Sequence, residues 1–574
     1  MRYSAYALAE DFDQRLGDPA DPARAFSFAR CAELDRREEF PDEICRELDT
    51  LGVPSYYVPA EYGGAAYSYE SLFQLVRMIA RRDLTVVIAH TKTYLGAVAA
   101  WVGAERGQAR RIGAEIIGGA VVSLGLTERE HGSDLLAGEL SASPTSEGYS
   151  VSGEKWLINN ASRGHMVCVL ARTDSGGGPR GFSLLMIDKR RLPAESYRCT
   201  HAMATHGIRG ADISGIRFSG APVAREALIG APGAGLEIVL KGLQLTRTLC
   251  TALSLGAADQ ALRIAVRFAL EHRQYGRALI DLPKANRTLA EAYADLLTAE
   301  VVTLLTSRGT HALTAEMSVI SAIVKFWVPT RVDAMIRELG QFLGARAYLT
   351  EAYADGVFQK VERDHRIVSI FDGNTVVNLN ALINQFPALA RGYQSGLADS
   401  SGVACAAGLT QPLPGFERDR LTLVARAGCS IVQSLPACVE EVRALAKDGM
   451  APTAVAEQAS QVLAFADDLH ARMAAHRPSA RDVPVEDFGL AERYATCYAA
   501  AACLQFWLRN RTSAEGGLWR GALWLRACLA RLLRPAAGQE QDAVLDLLAG
   551  PLLEQYERGL LFSPLPCRLA EGVR

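Results

Sequence analysis

The sequence predicts a mainly α-helical protein with one small antiparallel β domain near the middle of the chain. Three observations support this prediction. Residues 1 to about 120 carry apolar side chains spaced three and four apart, as helices packed on a core do. From residue 121 to about 230, short apolar runs separated by Gly, Ser and Asp replace that spacing. The long helical spacing returns at residue 236 and continues through most of the remaining chain.

Each region contains specific elements. In the N-terminal region, the helical spacing is clearest at 45–51 and 69–80, and PAEYGG at 59–64 forms a turn cluster between them. The predicted strands of the β region are VVSLGL, YSVSG, MVCVLAR, FSLLMI and ISGIRF. The predicted helices that follow cover 236–272, 285–310, 314–345 and 375–390.

The last part of the chain is a separate helical block. It is rich in Ala, Leu and Arg, and a loop-like segment at 400–415 precedes it. A chain of 574 residues is too long for one compact core, so several domains are expected. The predicted division is an N-terminal helical domain 1–120, a β domain 121–230, a helical bundle 231–395 and a C-terminal helical extension 396–574.

Composition and charge exclude several classes of protein. Hydrophobic residues make up 49% of the chain and charged residues 22%, which is too apolar for a disordered protein. The net charge of -3 does not favour a general affinity for nucleic acid or for an anionic membrane. The 12 cysteines form no C-x-x-C pair, which favours reduced thiols over zinc ligation. We therefore expect no bound metal. Because the N-terminus has no apolar run of the kind a signal peptide needs, we also expect a soluble cytoplasmic protein.

One segment of the extension has a different charge pattern. Residues 507–534 combine arginines and tryptophans with a single acid, Glu515, and two interpretations follow. The segment forms a phosphate- or nucleic-acid-binding surface, or its arginine stems cover the apolar surface of amphipathic helices. The residues concerned are Trp507, Arg509, Arg511, Trp519, Arg520, Trp524, Arg526, Arg531 and Arg534.

A glycine pattern in the β region is not a nucleotide-binding loop. Gly176, Gly178 and Gly181 have G-x-G-x-x-G spacing, but a strand-like segment, GFSLLMIDK, follows them. A dinucleotide-binding loop leads into a helix whose N-terminus binds the pyrophosphate. We therefore predict a hairpin loop here.

Seven other segments, taken together, identify a family. In chain order they are VPAEYGG, LTEREHGSD, GEKWLINNAS, GIRGADISGIRFSGAPV, HRQYGRALI, QFLGARAY and RDHRIVSIFDGNT. In sequence and in spacing, about residues 40–390 closely resemble the acyl-CoA dehydrogenase superfamily of FAD enzymes. This resemblance implies a helix/β-barrel/helix fold, followed here by the additional helical domain, and a homodimer or homotetramer.

The resemblance also implies which residues bind FAD. It assigns Leu126, Thr127 and Ser133 to the flavin and its diphosphate, and small hydroxyl donors suit that task. Arg273 matches an arginine presented to the FAD pyrophosphate of a neighbouring subunit, a role that fits a guanidinium fork. Considered alone, Arg273 is better explained as a cation at a helix C-terminus, and the adjacent Tyr275 and Gly276 shift the balance to the cofactor role. The other cofactor residues that the resemblance implies are Leu157, Asn159, Gln341, Gly344, Asn374 and Thr375.

The resemblance places the catalytic base at Asp372. Removing a proton α to a thioester carbonyl requires a carboxylate close to that carbon, and most family members carry Glu at this position. A second group of members carries the base where this chain has Thr246, so Asp372 is the only matching carboxylate. The alternative is that Asp372 caps the helix that begins near residue 375. Ser133, Thr246 and Arg247 are expected to bind substrate, although Arg247 is equally explained as an ordinary helix arginine.

The expected activity is FAD-dependent α,β-desaturation of an acyl thioester carried by CoA or an acyl-carrier protein. In that reaction Asp372 takes the α-proton, a hydride passes to flavin N5, and an electron-acceptor flavoprotein or O₂ receives the electrons. Leu157 and Asn159 depart from the family, which commonly has an aromatic residue and Thr or Ser there. An acyl-CoA oxidase-like or nitroalkane-oxidase-like enzyme, a non-redox flavoprotein that binds nucleic acid through its C-terminal domain, and an inactive relative remain as alternatives.

Overall fold

The structure is a computed structural model, and it describes residues 3–477, 482–533 and 543–571. The chain divides into two compact units. The helical unit consists of Met1–Phe28, Ser68–Arg82 and Arg247–Arg574, and the sheet unit consists of Ala29–Tyr67 and Asp83–Thr246. The finer division into four domains stays a prediction.

The N-terminal and central helices occupy the predicted regions of the chain. They are α1 Ser4–Leu16, α2 Phe28–Arg37, α3 Asp42–Thr50, α4 Tyr69–Arg82, α5 Leu84–Gly103, α6 Arg106–Ile117, α7 Gly235–Glu271, α8 Pro283–Ala312, α9 Met317–Leu343, α10 Val357–His365, α11 Thr375–Ile383 and α12 Phe386–Ser395. The predicted helix 375–390 is in fact two helices, because Pro387 lies in the first turn of α12 and cannot continue the hydrogen bonding of α11.

The C-terminal extension is helical, as predicted. Its described helices are α13 Ser400–Ala407, α14 Ser430–Gln433, α15 Leu435–Lys447, α16 Thr453–Ala474, α17 Val485–Asn510, α18 Leu523–Leu532, α19 Ala543–Asp546 and α20 Ala549–Glu557. Five of them pack against α8 within the helical unit: α13, α17, α18, α19 and α20. Helix α8 is consequently buried along most of its length, as is typical of a helix at the centre of a bundle.

The sheet unit contains eight strands in one sheet. They are β1 Val122–Gly125, β2 Ser141–Pro144, β3 Gly148–Asn159, β4 Met166–Arg172, β5 Phe182–Asp188, β6 Tyr197–Cys199, β7 Ile213–Ala224 and β8 Leu228–Ile229. The strand order is β6-β7-β3-β2-β4-β5-β8, and β1 pairs with β4. Strands β4 and β5 are antiparallel neighbours, which confirms that the glycines at 176–181 belong to a hairpin loop.

The prediction of a closed antiparallel barrel is wrong in two respects. The described sheet is open, since β6 and β8 form its ends, and with three and two residues these strands are too short to close it. It is also mixed, because β1 runs parallel to β4, with Val122 opposite Met166. Strand β1 follows helix α6 rather than a hairpin turn, so its connection does not require an antiparallel direction.

One helix among the described residues, α7, is long and apolar enough to cross a membrane. Its apolar window is completely buried within the protein, and the core helix of a soluble protein passes the same test of length and composition. A second, two-stranded sheet follows α7 and consists of β9 Arg273–Gln274 and β10 Arg277–Ala278.

Candidate active site

Asp372 lies in a tight turn between α10 and α11. Its φ of 55° is left-handed, as is the φ of 92° at Gly373, so two successive residues adopt a conformation that usually requires Gly or Asn. Arg247 Nε donates to the Asp372 carbonyl at 2.9 Å. The Cys250 thiol donates to Asp372 Oδ2 at 3.3 Å. Helix α7 therefore fixes both the main chain and the half-buried carboxylate of Asp372.

A second helix, α9, also contacts this turn, through Lys325. Lys325 Nζ donates to the carbonyl oxygens of Val368 at 2.7 Å and Gly373 at 3.2 Å. The amide of Asn378 also donates to the Gly373 carbonyl, at 2.7 Å. These bonds satisfy the carbonyl groups that a left-handed turn exposes.

The cap of α11 is Asn374. Its side-chain oxygen accepts from the backbone N–H of Val377 at 2.9 Å, and Thr375 is the first residue of the helix. The alternative that Asp372 caps this helix is therefore wrong, because the capping position is already filled two residues later.

Thr246 and Arg247 are both buried on α7. The Thr246 hydroxyl donates to the Leu243 carbonyl within the helix, at 3.4 Å. Burial lowers the pKa of the Arg247 guanidinium, and the nearby Asp372 and Cys250 oppose that shift.

In the sheet unit, a buried ion pair supports the loop that contains Leu126. Lys155 Nζ donates to the Leu126 carbonyl at 3.0 Å and to Glu128 at 2.8 Å. The Glu128 carboxylate also accepts from the backbone N–H groups of Glu139 and Leu140, at 2.7 and 3.0 Å. Burial raises the pKa of Glu128, but the Lys155 and backbone hydrogen bonds outweigh it and hold this pKa below its ordinary value.

The same loop is joined to β3 by Thr127. Its hydroxyl donates to the Trp156 carbonyl at 2.7 Å, and the Trp156 N–H donates to the Thr127 carbonyl at 2.9 Å. Ser133 lies farther along the loop and is exposed. Leu157 follows Trp156 with a left-handed φ of 55° and is 44% exposed. The pairing of β3 with β7 shifts register between Lys155 and Ile158, within the segment that the resemblance assigns to the flavin.

Two groups on this segment fit a polar ligand such as FAD. Both amide atoms of Asn159 are buried and have no hydrogen-bond partner among the described residues, and the same is true of Trp156 Nε1. Buried polar atoms are normally paired, and the exceptions are characteristic of functional sites. The Arg129 guanidinium lies 4.7 Å from the centre of the Trp156 ring. These residues can therefore donate to and accept from the edge of a flavin.

Asn159→Ala is expected to weaken FAD binding about fivefold, the equivalent of one hydrogen bond of roughly 1 kcal/mol. The apoprotein is expected to melt at a slightly higher temperature, because the substitution removes a buried polar group without a partner. Titration of the apoprotein with FAD and thermal melting measure the two effects. Asn384→Ala, at an exposed asparagine, is the control, and equal FAD affinity in both variants would contradict a cofactor role for Asn159.

A cavity of about 520 Å³ in the helical unit is lined by Thr375, Thr330, Arg337 and Arg366, together with Asp333 and other side chains. Its charge is mixed. The guanidinium groups and the hydroxyls are suitable donors to the polar chain of a cofactor.

Arg273 lies just beyond the end of α7, and Gln341 lies near the end of α9. Arg273 begins a hairpin whose turn residues, Tyr275 and Gly276, both have positive φ. Phe268, near the end of α7, contacts Phe342 at the end of α9, with ring centres 5.8 Å apart. Gly344 follows α9 with a φ of 61°. Arg273, Gln341, Gly344, Tyr275 and Tyr348 are all exposed.

The Arg/Trp segment of the extension does not form a base-stacking surface in its described part. Trp507, Trp519 and Trp524 are buried, and Trp519 donates to the Pro564 carbonyl at 2.7 Å. Arg531 is paired with Asp295 at 3.0 Å, and Arg509 lies 3.6 Å from Glu441. The interpretation of this segment as a nucleic-acid surface is therefore wrong for these aromatic residues. Arg534 lies outside the described residues.

Three residues that support the site were not predicted from the sequence: Lys155, Cys250 and Lys325. Lys155 occupies an inward position of β3, where a charged side chain is unusual, so the sequence could have indicated a buried ion pair there. Cys250 follows Arg247 by three positions on the same helix face. Nothing in the local sequence connects Lys325 with a turn more than forty residues later in the chain.

Three regions of the chain match the acyl-CoA dehydrogenase domains: the N-terminal domain over 20–114, the middle domain over 123–221 and the C-terminal domain over 233–386. The chain is 25% identical over 398 residues to the human short-chain specific acyl-CoA dehydrogenase of mitochondria, covering 68% of this chain and 93% of that protein. Its fold is similar to butyryl-CoA dehydrogenase from Megasphaera elsdenii, with a TM-score of 0.58, 23% identity, and coverage of 66% of this chain and 96% of that one.

A second solved structure extends the likeness to the additional helices. The acyl-CoA dehydrogenase complexed with FAD from Bacillus anthracis is similar over 97% of this chain and 89% of that chain, with a TM-score of 0.70 and 18% identity. The C-terminal extension thus has a counterpart of the same fold. The chain belongs to the acyl-CoA dehydrogenase family and is a flavin oxidoreductase with FAD as its cofactor.

Proposed function

We propose that this enzyme desaturates an acyl thioester between Cα and Cβ, with Asp372 as the base that removes the α-proton. The observation that carries the proposal is the Asp372 turn. Helices α7 and α9 hold it through Arg247, Cys250 and Lys325, so a single carboxylate is fixed at the position where the family carries its base. Membership of a family of acyl-CoA dehydrogenases supports the same reaction.

The chain's residues perform the proton transfer and the positioning. The Cα–H bond breaks, its proton passes to the Asp372 carboxylate, and the bonding electron pair moves toward Cβ as the double bond forms. When bound, FAD supplies the acceptor for the hydride that leaves Cβ. The resemblance assigns the thioester carbonyl to the Asp372 backbone N–H, where a hydrogen bond stabilises the charge that develops on oxygen.

The length of Asp372 makes its placement important. Asp is one methylene shorter than the Glu common in the family, and a misplacement of about 1 Å costs on the order of a hundredfold in rate. The left-handed φ of 55° at Asp372 and its two contacts with α7 define where the carboxylate lies. We infer that this turn compensates for the shorter side chain.

Several features of the proposal extend beyond the chain itself. The exposed Arg273, Gln341 and Gly344 support a homodimer or homotetramer in which one subunit contacts the cofactor of another. The thioester carrier is CoA or an acyl-carrier protein, and the electron acceptor is a flavoprotein or O₂. We also propose a cytoplasmic location.

The test is an anaerobic titration of the purified yellow protein with a panel of acyl-CoA and acyl-carrier-protein thioesters. The expected result is loss of the flavin absorbance with one class of thioester and formation of the α,β-unsaturated product. Peroxide formation on admitting air, without another acceptor, would indicate an oxidase. Reduction by nitroalkanes and not by any thioester would contradict the proposal.

A further inference from the structure

A buried hydrogen-bond cluster lies beside the base-bearing segment. His365, at the end of α10, contacts Asp333 Oδ1 through Nδ1 at 2.5 Å and Ser254 Oγ through Nε2 at 2.8 Å. The His365 side chain has 0% exposure and that of Asp333 has 29%. Ser254 is fully buried in α7. A buried histidine with a partner at each nitrogen holds one orientation.

The chemistry of Asp333 sets the direction of one bond. A carboxylate only accepts, so His365 donates from Nδ1 to Asp333. Its Nε2 lies within hydrogen-bonding distance of the Ser254 hydroxyl. Of the three side chains only Asp333, which also lines the 520 Å³ cavity, is partly exposed. A fully buried serine in the middle of a helix cannot reach a substrate, so the cluster is not a nucleophilic site.

The cluster and Asp372 are aligned along the same helix. Arg247, Cys250 and Ser254 are spaced three and four apart, which places them on one face of α7. Arg247 and Cys250 contact Asp372, and Ser254 contacts His365 seven residues earlier in the same segment. The segment from 365 to 373 therefore runs along this face of α7.

Helix α9 holds the other side of the segment. Asp333 binds His365 at the start of it, and Lys325 binds the carbonyl groups of Val368 and Gly373 farther along. The segment is thus fixed at both ends between two helices. Of these contacts, the His365 cluster is the one farthest from Asp372 in sequence.

We propose that His365 is a positioning residue for the base: clamped by Asp333 and Ser254, it sets the position of the segment that carries Asp372. This inference rests on the proposed desaturation. The Asp372 side chain is one methylene shorter than Glu, so its reach to the α-proton depends on where the main chain lies. Without the His365 contacts the segment could shift, and a displacement of the carboxylate of about 1 Å or less would slow proton transfer.

The experiment compares His365→Gln and Asp333→Asn with the wild-type holoenzyme. We expect kcat for flavin reduction by the best thioester to fall about tenfold to a hundredfold, with KM and the FAD content nearly unchanged. Hydrogen–deuterium exchange is expected to increase in the peptide covering 366–374. Adding Asp372→Glu to His365→Gln is expected to restore part of the rate, because the additional methylene lets the carboxylate reach the α-proton even when the segment has shifted.

The matched control is His476→Gln. His476 is also paired with an aspartate, Asp487, at 3.1 Å, and its side chain is 4% exposed, but it lies in the C-terminal extension. This variant is expected to keep the wild-type rate and the wild-type exchange in 366–374. A merely structural role for His365 would lower melting temperature and FAD content without rescue by Asp372→Glu.

The outcomes separate the two proposals. Wild-type rate and exchange in His365→Gln, or a loss that Asp372→Glu does not restore, would overturn the positioning role alone. A wild-type protein that binds FAD but is reduced by no thioester would overturn the proposed function, and the positioning role with it.

Discussion

Asp372→Asn is expected to slow flavin reduction by an acyl thioester by about 10²–10⁴-fold, the contribution usual for a general base. Asparagine has nearly the same shape but cannot take up the α-proton. The main-chain bond from Arg247 to the Asp372 carbonyl does not depend on the side chain, so the turn is retained. Stopped-flow reduction under nitrogen measures the rate, and the visible spectrum reports bound FAD.

Asp419→Asn is the control for this substitution. The Asp419 side chain is 98% exposed in the C-terminal extension, and its replacement is expected to leave the rate unchanged. If Asp372→Asn is reduced as fast as the wild type, another group removes the proton and Asp372 is not the base.

Glu300→Gln is expected to destabilise the protein by about 3–5 kcal/mol, because it leaves a fully buried arginine without its countercharge. Arg77 and Glu300 both have 0% exposure and form two contacts, at 2.7 and 2.5 Å. Tyr6 also donates to the Glu300 carboxylate. Burial lowers the pKa of Arg77, but Glu300 outweighs it and keeps the guanidinium charged. Urea unfolding monitored by circular dichroism measures the free energy of unfolding.

Glu554→Gln provides the comparison. Glu554 forms an i,i+4 pair with Arg558 at 2.7 Å, and both side chains are more than half exposed, so the expected cost is below about 1 kcal/mol. If the two substitutions lower the free energy of unfolding equally, then losing the countercharge of the buried Arg77 costs no more than breaking an exposed ion pair, which contradicts the prediction.

Much of the fold could be predicted from the sequence, because periodicity reports local structure. The 236–272 pattern agrees with α7 to within a residue at each end, and the five predicted runs are all strands. Strand direction and sheet closure are long-range properties, and the alternation of apolar residues does not encode them. The parallel pairing of β1 with β4 and the open sheet were consequently missed.

The candidate site shows the same division. The motif around Asp372 predicted the base, and that role stays a prediction. The contact of Arg247 with the Asp372 carbonyl was not predicted. The capping residue of α11 could have been predicted from the local sequence, because Asn374 directly precedes the helix and Asp372 lies two positions earlier. Lys325 and His365 could not be assigned, because their roles arise from the packing of α7 and α9 around the segment.

In the C-terminal extension, composition alone did not distinguish a binding surface from a buried core. Arginines interleaved with tryptophans resemble a nucleic-acid surface, but Trp507, Trp519 and Trp524 belong to the core, and Arg531 pairs with acids. An arginine-rich stretch on an amphipathic helix has this appearance when its apolar face is buried. Only the tertiary contacts distinguish the two.

Isotopic substitution shows whether Asp372 removes the proton from Cα of an acyl thioester. Flavin reduction under nitrogen is compared for a thioester deuterated at Cα, one deuterated at Cβ and the unlabelled compound. We predict a primary isotope effect from each position in the wild type, and an Asp372→Asn variant that reduces too slowly to follow on the same timescale. Rapid reduction of the wild type with no isotope effect at Cα, matched by Asp372→Asn, would show that Asp372 does not remove this proton.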